Sequence, residues 1–314
     1  MDKKTILSFG EILWDILPDK SILGGAPFNF AYRINSLGDR GIIVSKLGKD
    51  KLGQKALDRV EALGIEATFL GQDDELPTGT VDVSFDAQHN PDYIINPGVA
   101  YDYIKMTDCL AQIAERTECT CFGTLAQRSA TTRQTLKQLL EKSVNSLKFL
   151  DINLRKLCYS PETITFSLQN ADVLKLNEDE AKQLSEMMNV PHPSIPHFCE
   201  AMIEKWALKY CLVTCAEKGA FALSEMGERV YAPGYKIKLV DSLGAGDAFS
   251  AGFVYKILRE KPLTEACNFG NILGALTASK AGATAPIQQQ EINEFMNKKQ
   301  ERIIFPELEK FAIT

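Results

Sequence analysis

Residues Val240 to Phe253 read V-D-S-L-G-A-G-D-A-F-S-A-G-F, a glycine-rich turn that runs straight into an amphipathic helix. Phe249, Phe253, Val254, Ile257 and Leu258 recur at near-helical spacing and predict one buried stripe. At the front of the stretch, Gly244, Ala245 and Gly246 leave backbone N–H groups unshielded, and the helix start points further unpaired N–H groups the same way. Such a turn holds anions. Asp247 falls in the first helical turn, where the dipole favours its charged form by about 0.3–1 kcal/mol. The residues alone leave two readings of Asp247. It is a helix cap, or it is a base that takes the proton of an attacking hydroxyl while the backbone donors stabilise a transferred phosphoryl group.

Short apolar runs alternate with helical patterns through the rest of the chain. Strands are predicted at Thr5–Phe9, Ile42–Leu47, Lys148–Ile152, Val173–Leu176 and Tyr210–Thr214, which reads as βαβ units forming a mostly parallel sheet covered on both faces. Thr78 to Phe85 has a different texture, alternating small or polar residues with apolar ones. Tyr93 to Ile95 resumes strand character after the turn-rich Gln88 to Asp92, so a small antiparallel sheet should project from the α/β body and act as a lid. Asn177 to Met188 opens with a cap-compatible Asn followed by acids, a helix start. With no linker or repeat, the expectation is a single domain over residues 1–314, its lid drawn from about 11–27 and 76–104.

Composition narrows the partners. At 314 residues, 45% hydrophobic and 24% charged, the chain can bury a sizeable core. A net charge of -6 argues against nucleic acid and anionic membranes, which bind clustered Lys and Arg. Lys3 and Lys4 are the only basic residues before the short Thr5–Phe9 run, and no long apolar stretch follows, so neither signal peptide nor membrane span is expected. Eight scattered cysteines and three histidines fit no zinc or disulfide spacing; Cys119 and Cys121 share a strand face as buried thiols, in keeping with a cytoplasmic protein. Gly48 to Lys55 places Gln54 where a phosphate-binding P-loop needs Lys, and Gly244 to Phe249 lacks the last glycine of a dinucleotide fingerprint.

The G-A-G-D stretch resembles the C-terminal signature of the ribokinase-like (phosphofructokinase B family) carbohydrate kinases. Leu23 to Gly38, L-G-G-A-P-F-N-F-A-Y-R-I-N-S-L-G, resembles their N-terminal sugar-binding motif, more than 200 residues away in the family's order. Similarity continues through Gly10–Asp15, Gly48–Gly53, Asp151–Arg155 and Lys175–Glu180. The resemblance implies a three-layer αβα fold with a β lid, and ATP, Mg²⁺ and a monovalent cation, K⁺, as cofactors. It implies that Asp15, Gly25 and Asn29 bind sugar hydroxyls, that Asp247 is the base, and that Gly244, Ala245 and Gly246 form the anion hole. Asn177 and Glu180 match the pair that organises Mg²⁺ through its waters. Asn177, Thr214, Gly219 and Asn271 match nucleotide-binding positions, and Asp241 lies by the K⁺ site. Bland alternatives stand beside these: Asp15 as a turn acid, Asn29 as a helix cap, Glu180 as a helix-starting acid, and Arg155 as a substrate contact or a partner of Asp151.

Three departures from the pattern carry expectations. Ala216 replaces a usual glycine where φ > 0 is needed, Ser242 and Leu243 replace a pair of threonines, and Phe28 is bulky enough to narrow the sugar pocket. The forms G-E-I-L-W-D, F-G-T-L-A-Q-R-S and D-I-N-L-R-K-L-C-Y-S look most like bacterial fructokinases. Transfer of the ATP γ-phosphoryl group to fructose is therefore expected, with 2-keto-3-deoxygluconate, ribose or a nucleoside as other acceptors. A silent sugar sensor or an NAD-dependent oxidoreductase would be the reading from other classes. An exposed lid edge could pair two copies into a homodimer.

Overall fold

A computed structural model describes residues 2–17, 20–85 and 91–313. The strands are β1 (Thr5–Phe9), β2 (Leu13–Ile16), β3 (Ser21–Gly24), β4 (Arg40–Gly48), β5 (Leu70–Asp73), β6 (Gly79–Phe85), β7 (Pro91–Ile95), β8 (Cys119–Phe122), β9 (Leu147–Asp151), β10 (Val173–Asn177), β11 (Tyr210–Thr214), β12 (Gly219–Ser224), β13 (Arg229–Tyr235) and β14 (Arg302–Ile303). The helices are α1 (Ala26–Ser36), α2 (Lys51–Ala62), α3 (Asp108–Ala114), α4 (Ala130–Lys142), α5 (Pro161–Gln169), α6 (Glu178–Met188), α7 (Ile195–Trp206), α8 (Ala245–Ile257), α9 (Leu263–Ala278) and α10 (Gln289–Asn297).

Ten strands form one sheet in the order β14-β13-β12-β11-β10-β9-β8-β1-β4-β5. Pairings from β5 across to β11 are parallel, and β11 to β14 run antiparallel. Period-2 alternation sends neighbouring residues to opposite faces. Leu7, Leu150, Leu174 and Val213 join the core beneath α4 to α7, while Ile6, Phe149, Val173 and Leu212 join the one that Phe249, Phe253 and Val254 of α8 complete. Helices on both faces give the expected three layers. The predicted α8 stripe is buried as one surface with Ile257 and Leu258 against it, and Cys119 and Cys121 lie in the same cluster.

The second sheet has the order β3-β2-β6-β7. Its two antiparallel hairpins meet along a parallel β2–β6 seam. The turn expected at Gln88 to Asp92 lies largely outside the described residues, and β7 starts at Pro91. Where this sheet rejoins the body, Arg128 pins it. Its guanidinium donates to both Asp102 oxygens at 2.8 and 3.0 Å, to the Asn96 and Ile95 carbonyls at 2.7 and 3.3 Å, and to the Tyr101 hydroxyl at 2.9 Å. The Tyr101 ring in turn fills the space a side chain at Gly79 would need. No helix among the described residues is long and apolar enough to cross a membrane.

Candidate active site

Two helix N-termini converge above the C-terminal ends of the parallel strands, the place where open α/β sheets take ligands. α8 starts from Gly244, held at φ +75°. A Cβ there would lie 2.3 Å from the Ala283 methyl carbon, so glycine alone lets the turn pack on the loop after α9. Asp241 ties the same loop: its Oδ1 accepts the Leu243 N–H and its Oδ2 the Gly282 N–H, each at 3.0 Å. α1 starts from Gly25 at φ +113°, where a Cβ would fall 2.4 Å from the Glu11 carbonyl oxygen.

Neither helix has a side-chain cap. The cap readings of Asn29 and Asp247 therefore fail, and the two side chains face each other instead: Asn29 Nδ2 donates to Asp247 Oδ2 at 2.8 Å. Among the described residues Asn29 Oδ1 is buried with no hydrogen-bond partner, an acceptor still open. Burial pushes Asp247 up to about 6; the Asp151 charge adds to this, while Lys175, the Asn29 amide and Arg155 oppose it. A carboxylate tuned there is ionised at neutral pH yet basic enough to accept a proton.

Asp15 is on β2, its Oδ2 3.2 Å from where Gly24 would carry a Cβ, so it is part of a sheet and not a turn acid. Burial raises its pKa and Arg155 lowers it. Arg155 is exposed, and its side chain has no hydrogen bond or ion pair among the described residues, although its charge is felt at Glu11, Asp15 and Asp247. It sits in a loop with two left-handed non-glycine residues, Asn153 at φ +44° and Leu157 at φ +63°. The pairing of Arg155 with Asp151 is not formed, because both Asp151 oxygens are held by Lys175 Nζ at 3.0 Å.

Asn177 and Glu180 form a capping box at the start of α6. Asn177 Oδ1 accepts the Glu180 N–H at 2.8 Å and Glu180 Oε2 accepts the Asn177 N–H at 2.9 Å, while Glu180 Oε1 takes the Leu154 N–H at 2.9 Å. The helix-starting reading of Glu180 is thus satisfied, and the anchored acid is also buried beside Lys175.

A second group gathers at the ends of β11 to β13. Thr214 Oγ1 donates to the Leu176 carbonyl at 3.4 Å. Gly219 and Asn271 meet at the Ala232 carbonyl: a Cβ on Gly219 would lie 2.0 Å from that oxygen, and Asn271 Nδ2 donates to it at 3.3 Å and to Pro233 O at 2.7 Å. Ala216 takes φ +48°, the left-handed conformation anticipated for it. The expectation for Phe28 needs correction. Its ring is wholly buried with Trp14, Tyr32, Ile43 and Leu47, so it fills core instead of lining an open pocket.

Glu11 and Lys175 escaped the reading of the sequence. Glu11 follows β1 and burial pushes it up to about 7, with its own backbone N–H, Arg155 and the Ala26 N–H opposing and Asp247 adding. Lys175 sits under the α8 turn, 3.1 Å from where Gly246 would carry a Cβ. A lone acid after a strand and a Lys inside an apolar strand are the available signals, and both are common on surfaces.

The pfkB family carbohydrate kinase model matches residues 19–290. Fructokinase-1 of Zea mays is 25% identical over 312 residues, covering 90% of this chain and 94% of its own length. Among solved structures, an ATP-bound fructokinase from Xylella fastidiosa superposes with a TM-score of 0.83 at 20% identity, covering 94% of this chain and 98% of its own. The 2-dehydro-3-deoxygluconokinase of Thermotoga maritima gives 0.80 at 16%, covering 94% and 100%. These two share the fold. The match over most of the chain, together with the fold and the paired helix starts, shows that this protein belongs to the pfkB family of carbohydrate kinases and is an ATP-using sugar kinase.

Proposed function

We propose that the chain transfers the ATP γ-phosphoryl group to O6 of fructose, with Asp247 as the base. The observation that carries this reading is the Asn29–Asp247 contact at the meeting of two uncapped helix starts, one acceptor of the pair buried and unspent. The Asn29 oxygen and Asp15 bind sugar hydroxyls, with Gly25 allowing close approach of the backbone. Asp247 takes the proton of the attacking hydroxyl as the new O–P bond forms and the bond to ADP breaks. The N–H groups of Gly244, Ala245 and Gly246 receive the charge spread over the transferred group. Asn177, Thr214, Gly219 and Asn271 line the nucleotide side. The small sheet closes over the sugar and excludes water that would waste ATP.

The anchored oxygens of Asn177 and Glu180 fit a hard cation held through water, and these residues would hold Mg²⁺, which would supply charge neutralisation to the phosphates. The Asp241 carboxylate and the neighbouring loop oxygens fit a monovalent cation such as K⁺. The free edges of the small sheet and the exposed Ile94 on it support a homodimer through that sheet.

One observation favours a second acceptor: the Arg155 guanidinium beside the site, unpaired among the described residues, suits a carboxylate, as in 2-keto-3-deoxygluconate. A coupled ADP-release assay across fructose, 2-keto-3-deoxygluconate, ribose and nucleosides separates the two. Fructose should give the highest kcat/KM, and Arg155→Ala should leave it within about threefold. A preference for the acid sugar that Arg155→Ala abolishes would transfer the proposal to that acceptor.

A further inference from the structure

Lys175 and Asp151 are register partners on adjacent parallel strands, β10 and β9. The Lys175 ammonium is buried and makes 3.0 Å bonds to both Asp151 oxygens, and Ser250 Oγ of α8 donates to Asp151 Oδ2 at 2.9 Å. The same hydroxyl lies 3.1 Å from the Gly246 carbonyl, so the network grips the first turn of α8 from below. Among the described residues the ammonium has no other hydrogen-bond partner. An ammonium carries three donors, so one N–H is left over. Gly246, part of the cradle, has no side chain, and a Cβ there would lie 3.1 Å from the ammonium.

A buried ion pair gains little stability over apolar residues of the same volume, so its location asks for another explanation. We propose that Lys175 is a positioning residue for phosphoryl transfer, a buried ammonium clamped behind Gly246 that turns its unspent N–H toward the cradle and offsets the Asp151 charge at Asp247. The inference takes the base role of Asp247 from the reading above. Every charge facing Asp247 enters the balance. Asp151 on β9 disfavours its carboxylate; Lys175 on β10, Arg155 after β9 and the Asn29 amide on α1 favour it. The Asp247 charge also raises Glu11 after β1, and Cys121 on β8 faces it as a neutral thiol, its pKa raised by burial.

The test is the titration of the Asp247 carboxyl carbon by ¹³C NMR in the full chain, with single-turnover rates beside it. Lys175→Met should move the Asp247 titration up by about one pH unit, because a favourable charge is lost and Asp151 is left unopposed. Asp151→Asn should move it down by about the same amount, since a repelling charge is lost and the amide oxygen still accepts from Lys175. At pH 8, where Asp247 is ionised in both, Lys175→Met should still transfer phosphate about tenfold or more slowly, with KM for ATP within about threefold. Opposite shifts are not what a merely structural pair gives. Unmoved titrations in both variants, or wild-type turnover for Lys175→Met at pH 8, would overturn the proposal. Should Lys175→Met fail to fold, the downward shift in Asp151→Asn decides. The titrations need no turnover, so a wild-type chain inert toward every sugar would sink the kinase reading while these measurements still judge this one.

Discussion

Replacing Gly244 with Ala tests whether the cradle owes its shape to the absence of one carbon. The added Cβ would sit 2.3 Å from the Ala283 Cβ and 2.8 Å from its Cα, on a backbone held at φ +75°. The left-handed conformation costs a non-glycine residue about 1–2 kcal/mol. Forcing a methyl into filled space costs about 1–3 kcal/mol more. Gly244→Ala should therefore lose about 2–5 kcal/mol in urea unfolding and weaken ATP binding, since relief means lifting the α8 turn off its loop. Adding Ala283→Gly removes the nearer clash but leaves both the clash with the main chain of residue 283 and the backbone strain. The double variant should then regain about 1–2 kcal/mol, a coupling that a double-mutant cycle resolves. Equal loss in the two variants would show that backbone conformation, and not the approach of Ala283, sets the cost. A loss under about 0.5 kcal/mol in Gly244→Ala would refute the packing argument outright.

The remaining expectations concern the acids and the hinge. Because burial holds Asp247 up to about 6 and the proposed base must be deprotonated, kcat/KM should fall as pH drops through that value, about tenfold between pH 7 and pH 5. Asp247→Asn should erase this limb and lower kcat by about 10²–10⁴, with ATP affinity from calorimetry little changed. Asn29→Ala should weaken sugar binding by about 1–3 kcal/mol and leave ATP within about threefold; equal losses would misplace the sugar pocket. Arg128→Met strands the buried Asp102 carboxylate and should cost about 3–5 kcal/mol in urea unfolding, whereas a cost below about 1 kcal/mol would show the small sheet is anchored elsewhere.

Local chemistry made most of the fold readable. Strands such as Tyr210–Thr214 and Thr5–Phe9 are bounded in the sequence as they are in the structure, because continuous apolar runs between helical patterns have few other solutions. Asn177 announced the start of α6 through its own side chain. The parallel β2–β6 seam was hidden, since pairing between segments some 60 residues apart leaves no local trace. At the site, Asp247 and the glycine turn were legible, but the contact that sets the cap reading aside is to a partner 218 positions away, which leaves no local trace. Lys175 was invisible for the same reason: its meaning lies in the neighbouring strand and in a side chain that Gly246 lacks. Phe28 misled because helix phase, not size, decides which wall a residue joins.

The small sheet, proposed to face the acceptor, and the α8 turn, proposed to cradle phosphate, hang on separate parts of the chain, one reached through β2, β3, β6 and β7 and the other through α8 and the loop after α9. Their covalent junction near the cradle is short, Gly24 and Gly25 leading from β3 into α1. Substitutions on the inner wall of the small sheet therefore alter what the wall welcomes while the geometry around the base stays put. Such a division would let acceptor preference be re-engineered on the sheet while the turn at the start of α8 keeps its packing.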